Sequence, residues 1–183
     1  MKSTAKRKII QNMILLLKEY PFEEITIKML CAYSGVNRTT FYKYFEDKYD
    51  LISKIQAHHL QKYLKLLDAL NNSLKNKTNR NIKVYKFFKI LLTYVRRHYT
   101  FFHAIIVVHP NRSLIKDYIK NTKQVYQQML KNYSSIEHQK QMVTYIVGGE
   151  IGVIYFWIYK GCQETPEELA KILLENVLRV RRQ

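Results

Sequence analysis

The segment from Thr26 to Leu51 constrains what this chain can fold into more than any other stretch. Ile27 and Leu30 follow the spacing of one apolar helix face. Gly35 then supplies a position where φ can be positive without a Cβ clash, so the chain can reverse direction within a few residues. Asn37 is a favourable N-cap, which predicts a second helix directly after the turn. The segment therefore predicts a helix-turn-helix, a motif that can place its second helix in a DNA major groove.

A wider pattern of residues surrounds this turn. It consists of Thr26-Ile27, Leu30-Cys31, Ser34-Gly35-Val36, Asn37-Arg38, Thr40-Phe41-Tyr42, Tyr44-Phe45, Lys48 and Leu51. With this spacing, the chain up to about Ile52 closely resembles the N-terminal domain of TetR-family transcriptional regulators. The resemblance implies that the second helix enters the major groove and that phosphates are held by Thr26, Thr40, Tyr42 and Lys48. The full set of predicted DNA-binding residues is Thr26, Asn37, Arg38, Thr39, Thr40, Tyr42, Lys43, Tyr44 and Lys48.

Glycine and proline are scarce, with five and three residues among 183. Since apolar residues also recur at helical spacing, we predict an all-α fold of about nine helices. Residues 1–50 are expected to form a three-helix domain that carries the helix-turn-helix. Residues 51–183 are expected to form a larger helical domain for effector binding and dimerisation. A fourth helix is predicted to end near Leu70, before a loop over NNSLKNKTNRN.

The formal net charge of +17 indicates a polyanionic partner, such as nucleic acid or an anionic membrane surface. Most of the excess lies beyond residue 52, so it supports DNA binding only weakly. An anionic ligand, or simple solvation of surface lysines, accounts for it as well. Cys31 and Cys162 are far apart and predict no disulfide framework, which fits a reducing cytoplasm.

The most apolar stretch of the chain runs from Met142 to Tyr159. A membrane span is one interpretation, but Glu150 and three glycines within the stretch would be costly in lipid. We instead predict a helix buried on nearly all faces inside a soluble protein, with no membrane partner. The capping-box pattern Ser134-Ser135-Ile136-Glu137 predicts its start, and Gly161 predicts its end.

The last helix is predicted to begin at Thr165-Pro166-Glu167-Glu168, an N-cap pattern. Together with the preceding apolar helix it carries more apolar surface than one subunit is expected to cover, which predicts a subunit interface. The family resemblance implies a homodimer built from this helix pair, and hence a palindromic or pseudo-palindromic operator. The predicted interface residues are Gly148, Gly152, Tyr155, Leu169, Ile172, Leu173 and Val177.

Aromatic side chains of the middle helices are numerous enough to line a small-molecule cavity, although a plain helical core explains any one of them more simply. The predicted ligand-binding residues are Phe88, Phe102, His103, Tyr126, Tyr145 and Glu150. Glu150 stands out because a carboxylate buried in an apolar helix must pair, protonate or contact a polar ligand. We consider two partners for it: a cationic effector, or a salt bridge to Arg96, Arg97 or another buried cation, which is the simpler explanation.

Enzymatic chemistry finds little support in the sequence. The six histidines form no recognisable ligand set, and HExxH, CxxC and Gly-rich phosphate-loop motifs are missing. We therefore expect no catalytic residue, metal or cofactor. The sequence predicts a DNA-binding regulator, with repression by a homodimer and release by an unknown small-molecule effector as the expected mechanism. The alternative is a helical DNA-binding adaptor that responds to a protein partner.

Overall fold

The structure is a computed structural model that describes residues 4–76, 78–130 and 138–181. Within these ranges the regular elements are nine α-helices and one π-helical turn, and the predicted all-α class is confirmed. The helices are α1 (Thr4–Glu19), α2 (Ile27–Ser34), α3 (Arg38–Tyr42), α4 (Lys48–Leu74), α5 (Arg80–Arg97), α6 (Tyr99–His103), α7 (Arg112–Leu130), α8 (Gln139–Tyr159) and α9 (Pro166–Arg181). The π-helical turn, Ala104–Val108, follows α6 directly.

The chain divides into two compact units, and the division differs from the predicted boundary after residue 50. The first unit comprises the chain up to Gln61 together with Thr100–Asn111. The second unit comprises Lys62–Tyr99 and the chain from Arg112 onwards. Helical periodicity does not reveal this division. The boundary falls within the unbroken helix α4, and the apolar segment after Tyr99 belongs to the first unit although it is distant in sequence.

The first unit is built on the packing of α1 against α2, α3 and the π-helical turn. Side chains from α1, α2, α3, the start of α4 and the loops between them are fully buried and form its core, which comprises Ile9, Met13, Leu16, Ile25, Leu30, Phe41, Phe45 and Leu51. Phe41 and Phe45 therefore lie in the core, as their spacing predicts. His59 is also buried, and its ring stacks on Phe101 with centroids 4.0 Å apart.

The end of α4 differs from the sequence-based expectation. The helix continues through the Asn- and Ser-containing residues after Leu70 and ends at Leu74. The Lys83 ammonium donates to the carbonyl oxygens of Ser73 at 2.8 Å and Asn76 at 2.9 Å. These bonds satisfy carbonyls near the helix end that would otherwise lack partners, so turn-forming residues can complete the last turn instead of breaking it.

The second unit is held together mainly by α5 packing against α9 and by α7 packing against α8. Leu130, Val143 and Val147 form a buried cluster between α7 and α8. Lys89 on α5 and Glu167 on α9 form an ion pair at 3.0 Å, but both side chains are nearly half exposed, so the pair adds little stability. Apolar burial is therefore what holds these helices together.

The predicted helix boundaries at the C-terminal end are confirmed. Gly161 has a φ of 80°, and its N–H donates to the Ile158 carbonyl at 3.0 Å, which ends α8 in a left-handed cap. The Thr165 N–H donates to the Glu168 carboxylate at 2.8 Å, and the Glu168 N–H donates to the Thr165 hydroxyl at 3.2 Å. This reciprocal pair is the expected capping box. The pattern predicted to open α8, Ser134–Glu137, lies outside the described residues.

The prediction that α8 is buried on nearly all faces is wrong for the single chain. Only 28% of its most apolar window is buried. By length and composition α8 is the one helix in the described part of the chain that could cross a membrane, a test that the core helix of a soluble protein also passes. One face of the helix is exposed and carries Tyr145, Gly148, Gly149, Gly152, Tyr155, Phe156 and Tyr159.

Candidate DNA-binding surface and internal cavity

The helix-turn-helix is fixed locally by two N-caps and one glycine. The Thr26 hydroxyl accepts from the Met29 N–H at 3.1 Å and opens α2. Gly35 lies in the left-handed region with a φ of 62° and closes α2. The Asn37 side chain accepts from the Thr40 N–H at 2.7 Å and opens α3. The short helix α3 is therefore set in place by its flanking residues, as the sequence predicts.

Most of the predicted DNA-binding side chains are available to a partner. Around α3, the exposed residues are Arg38, Thr39, Tyr42 and Lys43, and the half-buried ones are Thr40 and Tyr44. The ring of Tyr42 packs edge-on against Phe41 with centroids 5.5 Å apart, so its position is restricted while 53% of the residue stays exposed. Thr26 and Asn37 are also exposed, but their side-chain oxygens already cap helices.

Lys48 has a different role from the phosphate contact that the resemblance implies. Its ammonium donates to three carbonyl oxygens, those of Phe22 at 3.0 Å, Glu23 at 2.7 Å and Ile25 at 2.9 Å. It also lies 4.9 Å from the centre of the Phe22 ring. Since an ammonium has three N–H donors, all of them are used within the protein. Lys48 therefore ties the first turn of α4 to the segment that joins α1 and α2.

A cavity of about 390 Å³, partly open to solvent, is formed by residues of the second unit. Three of the predicted ligand-binding residues line it: Phe88, Tyr126 and Glu150. The remaining lining comprises Leu70, Asn71, Leu74, Lys75, Arg80, Val84, Gln128, Met129, Leu130, Met142, Ile146 and Val177. Sequence reasoning missed most of this set, because aliphatic residues from five helices converge here and helical periodicity alone does not distinguish cavity lining from filled core.

The other three predicted ligand-binding residues lie elsewhere. Phe102 is buried in the first unit, where its ring meets the His59 ring edge-on, and His103 belongs to the same segment. Tyr145 is 71% exposed and lines a second, more open pocket of the second unit together with Glu150 and Arg179. Phe102 and His103 therefore do not line this cavity, because their segment folds into the other unit.

Glu150 is buried, and its partner is a phenol. The Tyr126 hydroxyl donates to the two carboxyl oxygens of Glu150 at 3.1 Å and 3.0 Å. Burial raises the pKa of Glu150 from 4.5 to about 8, against the smaller lowering by the Tyr126 hydrogen bond. Neither of the ion pairs Lys54–Asp50 and Lys89–Glu167 involves Glu150. The expected salt bridge to Arg96 or Arg97 is therefore wrong, since both arginines are exposed.

The predicted interface residues separate into exposed and buried groups. Gly148, Gly152, Tyr155 and Ile172 are exposed, and apart from the backbone of α8 itself no described atom lies within 4 Å of the position that a Cβ would occupy on either glycine. Leu169 and Leu173 are 4% and 1% exposed, so they belong to the core of their own chain and not to a surface. Val177 is half-buried and lines both pockets. The exposed aromatic residues Phe156 and Tyr159 were missed by the prediction.

The described residues contain no cluster of side chains suited to metal binding. Among the residues that the structure describes, no three His, Cys, Asp or Glu side chains come together as metal ligands would. The described cysteines, Cys31 and Cys162, are buried and unpaired with each other.

Two family models match the chain. A model described as "Bacterial regulatory proteins, tetR family" matches residues 14–55. A model described as "Transcriptional regulator C-terminal region" matches residues 83–178, which is more than half of the 183 residues. The first match covers the helix-turn-helix, and the second covers most of the second unit, including the cavity residues Phe88, Tyr126 and Glu150. A comparison with curated proteins gives no match.

Solved structures share the fold at low sequence identity. The fatty acid degradation regulator FadR from Bacillus halodurans has a TM-score of 0.68 and 14% identity over 96% of this chain and 95% of that chain. FadR from Bacillus subtilis in complex with stearoyl-CoA has a TM-score of 0.64 and 13% identity over 92% of this chain and 95% of that chain. The dihydroxyacetone kinase operon activator DhaS has a TM-score of 0.63 and 14% identity over 96% of this chain and 95% of that chain.

Proposed function

The chain belongs to the TetR family of bacterial transcriptional regulators, and on that premise we propose that it is a homodimeric repressor released from DNA by a small-molecule effector. The observation that carries the proposal is the capped α2–turn–α3 unit, which presents Arg38, Thr39, Tyr42 and Lys43 together on an exposed surface. The family's members regulate transcription and are not enzymes, which agrees with the expected lack of catalytic residues.

The proposed contacts follow from the chemistry of each side chain. Arg38 and Lys43 supply positive charge, and an arginine can also bind a guanine edge with two hydrogen bonds. Thr39 is small and exposed, which suits an approach of α3 to base edges. Tyr42 and Thr40 supply hydroxyl donors for phosphate oxygens. Lys48 holds the segment before α2 in place through its hydrogen bonds to three carbonyls of that segment. We therefore do not include it among the proposed phosphate contacts.

The proposed dimer uses the exposed face of α8 and the adjoining face of α9. Tyr145, Tyr155, Phe156 and Tyr159 expose between 43% and 71% of their area along one side of α8, with three glycines between them. An apolar stripe of this length on a charged protein is unusual for a surface that stays in water. Small residues in the middle of the stripe allow a second backbone to approach closely. A second copy of the chain fits this face, and two copies require two DNA half-sites.

The cavity favours a small-molecule effector over a protein partner as the regulating signal. Apolar side chains form most of its wall, and several polar groups lie between them, which is the usual composition of a ligand site. The similar fold of FadR from Bacillus subtilis was solved with stearoyl-CoA, so this architecture can accommodate a ligand that carries a long acyl chain. An effector acts here by binding one conformation of the dimer better than another and thereby shifting the population away from the DNA-bound form.

The test is fluorescence-anisotropy binding to the intergenic DNA upstream of the protein's own gene, with scrambled DNA as the comparison. We expect sequence-dependent binding, weakened by Arg38→Ala at constant salt. Lys140→Ala removes an equally exposed positive charge from α8, far from α3 in sequence, and serves as the matched control. Equal affinity of the wild type for both DNAs, or equal effects of the two variants, would mean that the +17 charge merely attracts polyanions.

A further inference from the structure

We propose that the cavity of the second unit takes an apolar molecule that carries a basic nitrogen, and that Glu150 is the counterion of that nitrogen. The inference rests on the proposed function, in which this cavity is the effector site, and it deepens that function by naming the ligand class. Its starting point is geometric: a carboxyl group that is 8% exposed opens onto both pockets, with one phenol as its hydrogen-bonding partner.

The hydrogen bonding of Glu150 falls short of what a carboxylate can accept. An ionised carboxylate has about four acceptor sites. Tyr126 supplies a single proton, which both carboxyl oxygens share. A glutamine would bond to Tyr126 equally well at no electrostatic cost, so the carboxyl group differs from the amide chiefly in its capacity to ionise. Ionisation requires further donors or a cation, and the open side of the group faces the cavity.

Charged groups of the surrounding helices do not supply this cation. Lys75 and Arg80 line the larger pocket, and Arg179 lines the smaller one. No ion pair joins any of them to Glu150 among the described residues, and the influences on its pKa are burial and Tyr126. Two titratable phenols lie on the neighbouring helices. Tyr126 on α7 donates to the carboxyl, whereas Tyr63 on α4 is hydrogen-bonded to Thr122 at 2.6 Å. The positive side chains that line the two pockets therefore do not pair with the Glu150 carboxyl.

The rest of the cavity specifies the apolar part of the ligand. Its wall is formed mainly by Leu70, Leu74, Val84, Phe88, Met129, Met142, Ile146 and Val177. Lys75 and Arg80 repel any cation in the cavity, so a bound cation needs apolar burial as well as Glu150 to offset that repulsion. A molecule with an apolar body gains the burial energy needed to enter, and the two methionines can adapt to its shape. The combination selects an amphipathic amine.

Binding of such a ligand moves a proton. In the empty cavity at neutral pH the carboxyl is mostly protonated, because its pKa is about 8. When an alkylammonium binds, the Glu150 O–H bond breaks, its proton goes to the buffer, and the carboxylate accepts N–H hydrogen bonds from the ligand. Below the pKa, the affinity of the ammonium therefore rises about tenfold per pH unit, with release of nearly one proton. A neutral or anionic ligand gives no such dependence.

The experiment is isothermal titration calorimetry with dodecylammonium, dodecanol and dodecanoate, three probes that share one chain and differ in charge. Each is titrated below its micelle concentration, from about pH 6 to pH 9, in two buffers of different ionisation enthalpy. We expect the full-length wild type to bind the ammonium most tightly and to release close to one proton at neutral pH. Glu150→Gln should lose at least tenfold in ammonium affinity and all of the proton release, whereas the exposed Glu164→Gln should behave as the wild type.

Several results would overturn the inference. Tighter binding of dodecanoate or dodecanol refutes the basic nitrogen but leaves an effector cavity in place. Unchanged proton release in Glu150→Gln refutes Glu150 as the counterion. Absence of saturable binding by all three probes refutes the cavity as an apolar effector site. If Glu150→Gln does not fold, the proton release and pH dependence of the wild type decide the question alone. DNA binding is measured separately and tests the proposed function as a DNA-binding regulator, whatever the ligand class is.

Discussion

Replacement of Lys48 by methionine tests whether this lysine contacts DNA or supports the fold. Methionine keeps an unbranched side chain but removes the ammonium and its hydrogen bonds to the carbonyls of Phe22, Glu23 and Ile25. Two of these bonds are partly buried, and a buried carbonyl left without a donor costs about 1–3 kcal/mol. The exposed Glu23 carbonyl can turn to water instead. Because the two carbonyls are only partly buried, each should cost about 1–2 kcal/mol, and we expect a total loss of about 2–4 kcal/mol in the free energy of unfolding.

Two measurements separate the structural role from a phosphate contact. Urea denaturation gives the stability, and the slope of log K against log salt concentration gives the number of phosphates neutralised. Lys48→Met should lose stability and keep the slope. Lys43→Met, which removes an exposed charge beside α3, should keep its stability and lower the slope by about 1.8 for a dimer, since each phosphate contact contributes about 0.9. A Lys48→Met protein of unchanged stability with a reduced slope would refute this account.

Three further changes test other parts of the structure. Gly35→Ala places a Cβ on a residue with a φ of 62°, so the free energy of unfolding measured by urea denaturation should fall by about 1–2 kcal/mol. An unchanged free energy of unfolding would contradict this prediction. Glu150 has a pKa raised by burial to about 8, so it stabilises the fold at low pH. The unfolding free energy should fall by up to about 1.4 kcal/mol per unit between about pH 5 and pH 8, and Glu150→Gln should flatten this slope; equal slopes would contradict the assignment. Phe156→Lys should convert the dimer to monomers in sedimentation velocity without unfolding it, and a persistent dimer would place the interface elsewhere.

Local signals in the sequence were sufficient for the helix-turn-helix. Gly35, Asn37 and the capping box at Thr165 each determine the conformation of their immediate neighbours, so their roles can be deduced from residue type and spacing. The all-α class follows in the same way, because helical periodicity recurs along most of the chain. For these features, the contacts that determine the structure lie within a few residues of one another.

Features that depend on distant contacts were harder to predict. Lys48 carries no local sign that its ammonium reaches carbonyls 23–26 residues away. By spacing, one apolar face of α9 includes Leu169, Ile172 and Leu173. In the structure, where α9 packs against α5, the two leucines are buried and Ile172 remains exposed. Phe102 sits in an apolar stretch that sequence alone cannot assign to either unit. In each case, tertiary packing selects among side chains that are equivalent by periodicity.

Glu150 lies between these two cases. Its position within an apolar helix indicated a partner, because a lone buried carboxylate is too costly. The partner proved to be Tyr126, from a helix that is remote in sequence, and no spacing rule connects the two residues. Sequence analysis could therefore identify the unusual residue but not the group that it contacts.

The central claim is that two copies of α3 bind two half-sites of one operator. A hydroxyl-radical footprint of the wild-type protein on its upstream DNA tests it most directly. We predict two protected patches on one face of the duplex, centred about 34–36 Å apart or a multiple of that distance, both lost when Thr39 and Tyr42 are replaced by alanine. Uniform protection along the fragment, or a footprint that survives these replacements, would contradict the account.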